Sequence, residues 1–417
     1  MVAPTPRAAG QSPKLGEIIR AAIPDLWGVP WLDDDDRNVL LRVAGCGTGT
    51  LGKMKFQCDK CEETEWRPLG CQDRHCPSCG VNKTEAWAQA RVAELMLAPY
   101  FHLVFTVPGE LYEIFQDNKT QLYGLFFSAV NETLAKFASD PRLLGGTPAY
   151  FSVLHTTNRR LGYHPHLHVV IAGAGWDRTK KRLVKVRNDD FLFPVRALAA
   201  SFRGRFLTGL RALSKSGTLD WTRPSIHHLA DGKELEALFT KLFAKNWQVR
   251  TDPVKGNTER VIRYLARYTY RTAISNARII RHAEGEVTYL WRERKTGRKR
   301  YETLPRLKFV QRFARHIIPK SFRRVRFYGL LAPGNRKTAL PLAQEAAEDL
   351  LSLDDLYKAV QSTLRPELKK PLQCVHCGAE GLRPVGVLRG PTYIHLSPET
   401  YPLPPPTTPS PPRPEAT

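Results

Sequence analysis

GYHPHLHVVIAGAG, residues 162–175, places imidazoles at His164, His166 and His168 and then runs into aliphatic side chains. In an extended chain, side chains two positions apart share a face, so the three rings form one row. The aliphatics behind them continue the same strand into a buried sheet. A row of imidazoles at a sheet centre is either a metal site or a hydrogen-bonded cluster. The rest of the chain has to distinguish the two.

The chain has 417 residues, enough for more than one domain with its own core. Its 42% hydrophobic and 10% aromatic content is that of a globular protein. With 63 Lys and Arg against 40 Asp and Glu, the formal charge is +23. A chain this basic is expected to meet a polyanion. No stretch reaches the roughly 18 continuous apolar residues of a membrane span, so no membrane partner is expected. The first residues lack the apolar core of a signal peptide, and a cytoplasmic, nucleoid-associated location is expected. In a reducing compartment the eight cysteines are metal ligands before they are disulfides.

The cysteines are not spread evenly. Cys58-x2-Cys61 and Cys76-x2-Cys79 are two knuckles separated by fourteen residues. Each knuckle can deliver two thiolates, and two knuckles close a tetrahedral site. At least one structural Zn2+, held by Cys58, Cys61, Cys76 and Cys79, is therefore expected. Cys46, Cys71, His75, Cys374 and Cys377 are further candidates, with His395 as a possible companion of the distant CVHC pair.

A second constellation lies in YLARY. Tyr264 and Tyr268 are four apart in a segment of helical pattern and so share a face, with Arg267 and Arg271 on adjacent parts of the same turn. Tyrosine can attack phosphorus when its phenol is placed in line and the phosphate charge is neutralised. A divalent cation can do that, and imidazole ligands favour Mn2+ over the harder Mg2+.

HPHLH followed by YLARYTYRTAISNARI resembles the HUH endonucleases. The closest resemblance is to the two-tyrosine rolling-circle transposases of bacterial insertion sequences, the IS-ninety-one type. CGTGTLG, CDKC, CQDRHCPSC, YFHLVFTVP, LHTTNRRLGYHPHLHVVIAGAG and RFARHIIPKSFRRVRFYGLL stand in that family's order from about Cys46 to Leu331. The resemblance implies His166 and His168 as the metal pair, Tyr264 and Tyr268 as nucleophiles, and Mg2+ or Mn2+ as catalytic cation. It also implies attack on single-stranded transposon-end DNA through a 5′-phosphotyrosine. Where the family often has Trp and Gln after LHT, this chain has TNRR, and His164 is expected to serve as third ligand, with His102 behind it. A plasmid replication initiator or relaxase shares the chemistry, and a zinc-dependent DNA-binding protein without nuclease activity is the rival of another class.

The expected fold is α+β: an HUH domain with an antiparallel sheet flanked by helices, preceded by a zinc-ribbon-like domain. The expected division is an arm and helix over 1–45, the zinc domain with a linking helix over 46–98, and the HUH domain with a basic meander over 99–331. A C-terminal region with the CxxC knuckle follows over 332–400, then a proline-rich tail over 401–417. From Arg278 to Arg326 there are sixteen Lys and Arg against four acidic residues, interleaved with aromatics. Arg278, Arg292, Arg294 and Lys295 are expected to contact DNA.

Overall fold

Numbered along the chain, strands β1 (Lys53–Cys58) and β2 (Thr64–Pro68) begin a sheet that is completed from the far end of the sequence. β12 (Leu382–Arg389) pairs antiparallel with β1, and β13 (Thr392–His395) pairs with β12, giving the order β13-β12-β1-β2. The structure is a computed structural model that describes residues 13–26, 28–29, 31–79, 94–254, 272–348 and 372–395. Two compact units emerge, Gly45–Cys71 with Glu367–Thr417, and Met1–Ala44 with Gln72–Pro366. The zinc-binding stretch and the C-terminal knuckle, expected in separate regions, thus share one small sheet.

The larger unit is built on the histidine strand. β5 (Tyr163–Asp177) lies between β4 (Thr147–Thr157) and β3 (Tyr100–Thr106), with β7 (Gln248–Pro253) and β11 (Val325–Gly329) outside them. All these pairings are antiparallel, and β6 (Arg182–Lys185) pairs with the end of β5. The fold is mixed α+β with antiparallel sheets flanked by helices.

Alternation along β5 gives this sheet two different faces. Leu167, Val169 and Ile171 point into a core shared with Leu103 and Phe105 of β3 and Leu154 of β4. The helices Lys119–Ser139 and Val195–Lys215 cover that face with Phe126, Phe127, Phe202 and Phe206. On the opposite face Val170, Ala172 and Ala174 pack with Phe151, Leu330 and Leu340, but only along part of the strand. The remaining part of that face carries the histidines.

A second, three-stranded sheet is a meander of β8 (Ile279–Ala283), β9 (Glu286–Arg292) and β10 (Lys299–Pro305), as the pattern anticipates. Glu284 and Gly285 both have positive φ at its first turn, 55° and 75°, the conformation a two-residue hairpin turn demands. Buried Tyr289, Phe309 and Phe313 fill the space beneath it. Of the helix read from sequence over 83–97, residues 83–93 lie outside the described residues and 94–97 are not helical; the segment 258–271, also read as helical, and the tail lie outside them too.

Phe202 centres the main core, with ring centroids 5.3 Å from Phe105, 5.5 Å from Phe126 and 5.1 Å from Trp247. Phe202→Ala leaves a cavity between both helices and the sheet and is expected to cost about 3–5 kcal/mol. Urea unfolding followed by far-ultraviolet circular dichroism reads this as a lowered midpoint. An unchanged midpoint would contradict this core assignment.

Candidate functional site

His166 and His168 stand on β5 and face the same side of the sheet as residues of its two neighbours. On β4, His155 is the register partner of His166, and Val153 that of His168. Cross-strand partners lie side by side on one face. One ring nitrogen from each of His155, His166 and His168 therefore comes within 4.8 Å of those of the other two. The ring centroids are 4.9 Å apart for His166–His168, 4.5 Å for His155–His168 and 5.5 Å for His155–His166. Three convergent imidazoles fit a divalent transition metal and leave coordination positions for other ligands.

Neighbouring groups orient two of these rings. His166 Nδ1 lies 2.7 Å from the carbonyl oxygen of His164 and donates to it, which makes Nε2 the ligand nitrogen. His168 Nδ1 is 2.8 Å from Nε2 of His102 on β3, and the two rings stack with an interplanar angle of 8°. Burial pushes the His102 pKa down to about 4, so that ring is neutral. A neutral His102 can accept from His168 Nδ1–H and so present His168 Nε2 as a ligand. On β7, Asp252 and Arg250 are register partners of His102 and Val104 on this same face, joined by a 2.7 Å ion pair.

His164 is not brought into this group. The β4–β5 register breaks between His155 and Thr157, which puts His164 and Pro165 in a bulge, and β3 ends opposite His166. Proline has no N–H to offer a ladder, so a bulge is its natural place in a sheet. His164 Nδ1 instead meets the hydroxyl of Tyr112 at 2.5 Å. The third imidazole is His155. The alternation rule alone missed it because it comes from another strand. The signal for it is the single histidine ending the apolar run AYFSVLHT.

Tyr264, Tyr268, Arg267 and Arg271 lie outside the described residues. Asp252, the register partner of His102, comes just before the segment, and Thr272 and Ala273, just after it, line a small cavity with His155 and Thr156. Of the expected DNA contacts, Arg292, Arg294 and Lys295 are exposed on the meander. Arg278 is a brace. Its guanidinium donates to the carbonyls of Leu290 at 2.8 Å and Arg159 at 2.6 Å, which hold it to the protein.

The cysteines regroup. Cys58 and Cys61 face Cys377 and Cys374, with Sγ–Sγ distances of 3.7 Å in both pairs. Zn–S bonds of about 2.3 Å in a tetrahedron place thiolates about 3.8 Å apart, so this set has the dimensions of a zinc site. Both knuckles share one backbone form. The N–H of Glu62 donates to Cys58 O, and that of Gly378 to Cys374 O, with φ of 60° and 70° at the two donors. Backbone N–H groups, first that of Cys61, hold the Cys58 thiol down to about 7, which favours thiolate. The expected set of Cys58, Cys61, Cys76 and Cys79 is therefore corrected. Spacing identified the knuckles but not their partners.

His75 is no ligand either. It is buried, its Nδ1 bonds Asp73 at 2.8 Å and its Nε2 accepts from Ile318 N–H at 3.0 Å. His395, exposed on β13, joins no metal-binding group among the described residues.

Comparison with known proteins shows the family to which the chain belongs. Residues 149–339 match the family described as "Putative transposase", and residues 18–107 match "Transposase zinc-binding domain" of the IS91 type. The chain is 36% identical over 323 residues to "Putative transposase y4qJ" of Sinorhizobium fredii, covering 77% of this chain and 80% of that protein. It is 28% identical over 357 residues to the "Transposase for insertion sequence element IS801" of Pseudomonas savastanoi pv. phaseolicola, covering 84% and 83%. The chain belongs to the IS91 transposase family. No solved structure matches it. A transposase is a DNA-processing enzyme, and DNA is the polyanion that the +23 charge meets. Zinc in the N-terminal domain is structural, because a site closed by four thiolates has no position for substrate. No helix among the described residues is long and apolar enough to cross a membrane.

If Cys58, Cys61, Cys374 and Cys377 share one ion, Cys374→Ser with Cys377→Ser removes as much zinc as Cys58→Ser with Cys61→Ser. Combining all four substitutions then removes no more. Metal analysis of the purified variants checks this. Zinc content unchanged by the C-terminal pair would show that β12 is held without it.

Proposed function

We propose that this transposase nicks and rejoins single-stranded DNA at the ends of its insertion sequence by tyrosine attack, in rolling-circle transposition. The phenolic oxygen of Tyr264 or Tyr268 forms a bond to phosphorus, and the bond from phosphorus to the 3′ oxygen breaks. The strand's 5′ phosphate stays on tyrosine, while the departing 3′ oxygen takes a proton and becomes a 3′-OH able to prime synthesis. A second tyrosine permits a second transfer before the first covalent bond is lost.

The observation that carries this reading is the convergence of His155, His166 and His168 on one sheet face. A divalent cation, Mn2+ or Mg2+, held by these three would draw negative charge off the phosphate oxygens. Tyr264 lies eleven residues beyond Pro253, the last residue of β7. Asp252, before that segment, is the register partner of His102 on the histidine face, and Thr272 and Ala273, after it, line a small cavity with His155. The exposed Arg292, Arg294 and Lys295 suit phosphate contacts along the strand, beside Tyr301, which is 60% exposed.

His155→Ala, His166→Ala or His168→Ala is expected to lower adduct formation on a single-stranded oligonucleotide with Mn2+ by about a hundredfold or more, with strand affinity nearly intact. Tyr264→Phe and Tyr268→Phe should each retain some nicking, and the double variant should form no adduct. Gel analysis of the covalent complex reads both results. Nicking at the unaltered rate by the histidine variants, or an adduct from the double tyrosine variant, would overturn the proposal.

A further inference from the structure

The sheet of the small unit has one face that its own packing does not explain. By register, Lys55 of β1 lies between Trp66 of β2 and Gly386 of β12, and Leu388 lies between Lys53 and Tyr393 of β13. All six therefore share one side. Trp66 is 43% and Tyr393 45% exposed, although large aromatic rings are ordinarily covered. Their centroids are 6.0 Å apart at an interplanar angle of 68°, so the two rings together reach across the four strands.

Gly386 makes this possible. A Cβ there would overlap the hydroxyl and ring of Tyr393, which lies over the place where a side chain would stand. The missing side chain is a cradle for that ring. The charge around the rings is basic. No carboxylate among the described residues pairs with Lys53 or Lys55, while Arg383, farther along this face, pairs with Asp59 at 3.0 Å. The buried acid Glu65 stands on the opposite side of β2 and bonds Arg67 and the Val375 N–H.

We propose that this face is a second DNA site, a platform on which Trp66 and Tyr393 stack unpaired bases while Lys53 and Lys55 contact the phosphates between them. Open aromatic faces accept bases only where those bases are not already stacked in a duplex, so the occupant is an unpaired DNA strand. The proposal rests on the reading of the chain as a transposase acting on single strands, and it adds a holding site apart from the histidine site that cuts.

The test uses the full chain, a fluorescent single-stranded oligonucleotide and the matching duplex, with binding followed by anisotropy and zinc content measured for each variant. Trp66→Ala and Tyr393→Ala are each expected to weaken single-strand binding about tenfold and leave duplex binding and zinc unchanged. Trp66→Phe keeps a stacking ring and should recover most of the loss. Gly386→Ala should weaken binding severalfold by lifting Tyr393. Lys53→Gln with Lys55→Gln should flatten the salt dependence by about 0.7 per lysine in the log–log slope, whereas the aromatic variants keep that slope. If Trp66→Ala loses zinc, the lysine pair decides in its place. Single-strand affinity unchanged in the zinc-bearing aromatic variants, a salt slope unchanged in the lysine pair, or an equal loss for duplex would overturn the platform. Nicking by those same variants would leave the proposed activity standing, whereas an unaltered chain that binds no single strand would overturn both.

Discussion

Strict alternation of side chains along β5 is the constraint on which the larger unit depends. One strand must present Leu167, Val169 and Ile171 to a helix-covered core and His166 and His168 to the other side. A register slip of one residue would push imidazoles into the aromatic core and leucine into the site. The surrounding order β11-β4-β5-β3-β7 pins that register from both flanks. The rigidity of the phenylalanine core is therefore also the rigidity of the candidate metal site.

A cluster of imidazoles partly withdrawn from water must still satisfy its ring nitrogens. Here the protein does so in a way that also selects tautomers. The His164 carbonyl orients His166, and His102 orients His168. The bulge at His164 and Pro165 has two effects at once. It turns the His164 ring to Tyr112, and it leaves the His164 carbonyl within reach of His166. A residue that looked like a ligand thus acts through its backbone.

Local regularities were legible in the sequence, and pairings across the chain were not. The His166–His168 pair on β5, the meander and the CxxC knuckles follow from patterns within a few residues, whereas His164, placed in the same row by alternation, leaves it at the bulge. His155 is not legible in this way because its role depends on which residue of β4 sits opposite His166. The knuckle partners are not legible for a similar reason. Cys58 and Cys76 are close in sequence, but β1 takes β12 as its neighbour, so Cys374 and Cys377 complete the set. Arg278 shows the limit of reading charge as function, since a guanidinium can serve backbone carbonyls as readily as phosphates.

Three imidazoles, one each from His155, His166 and His168, are the proposed ligands of the cation. Pulsed electron paramagnetic resonance of Mn2+ bound to the protein counts coordinated imidazole nitrogens directly. Three are expected in the unaltered chain, two in His155→Ala and three in His164→Ala. Loss of a nitrogen in His164→Ala with none lost in His155→Ala would contradict this assignment.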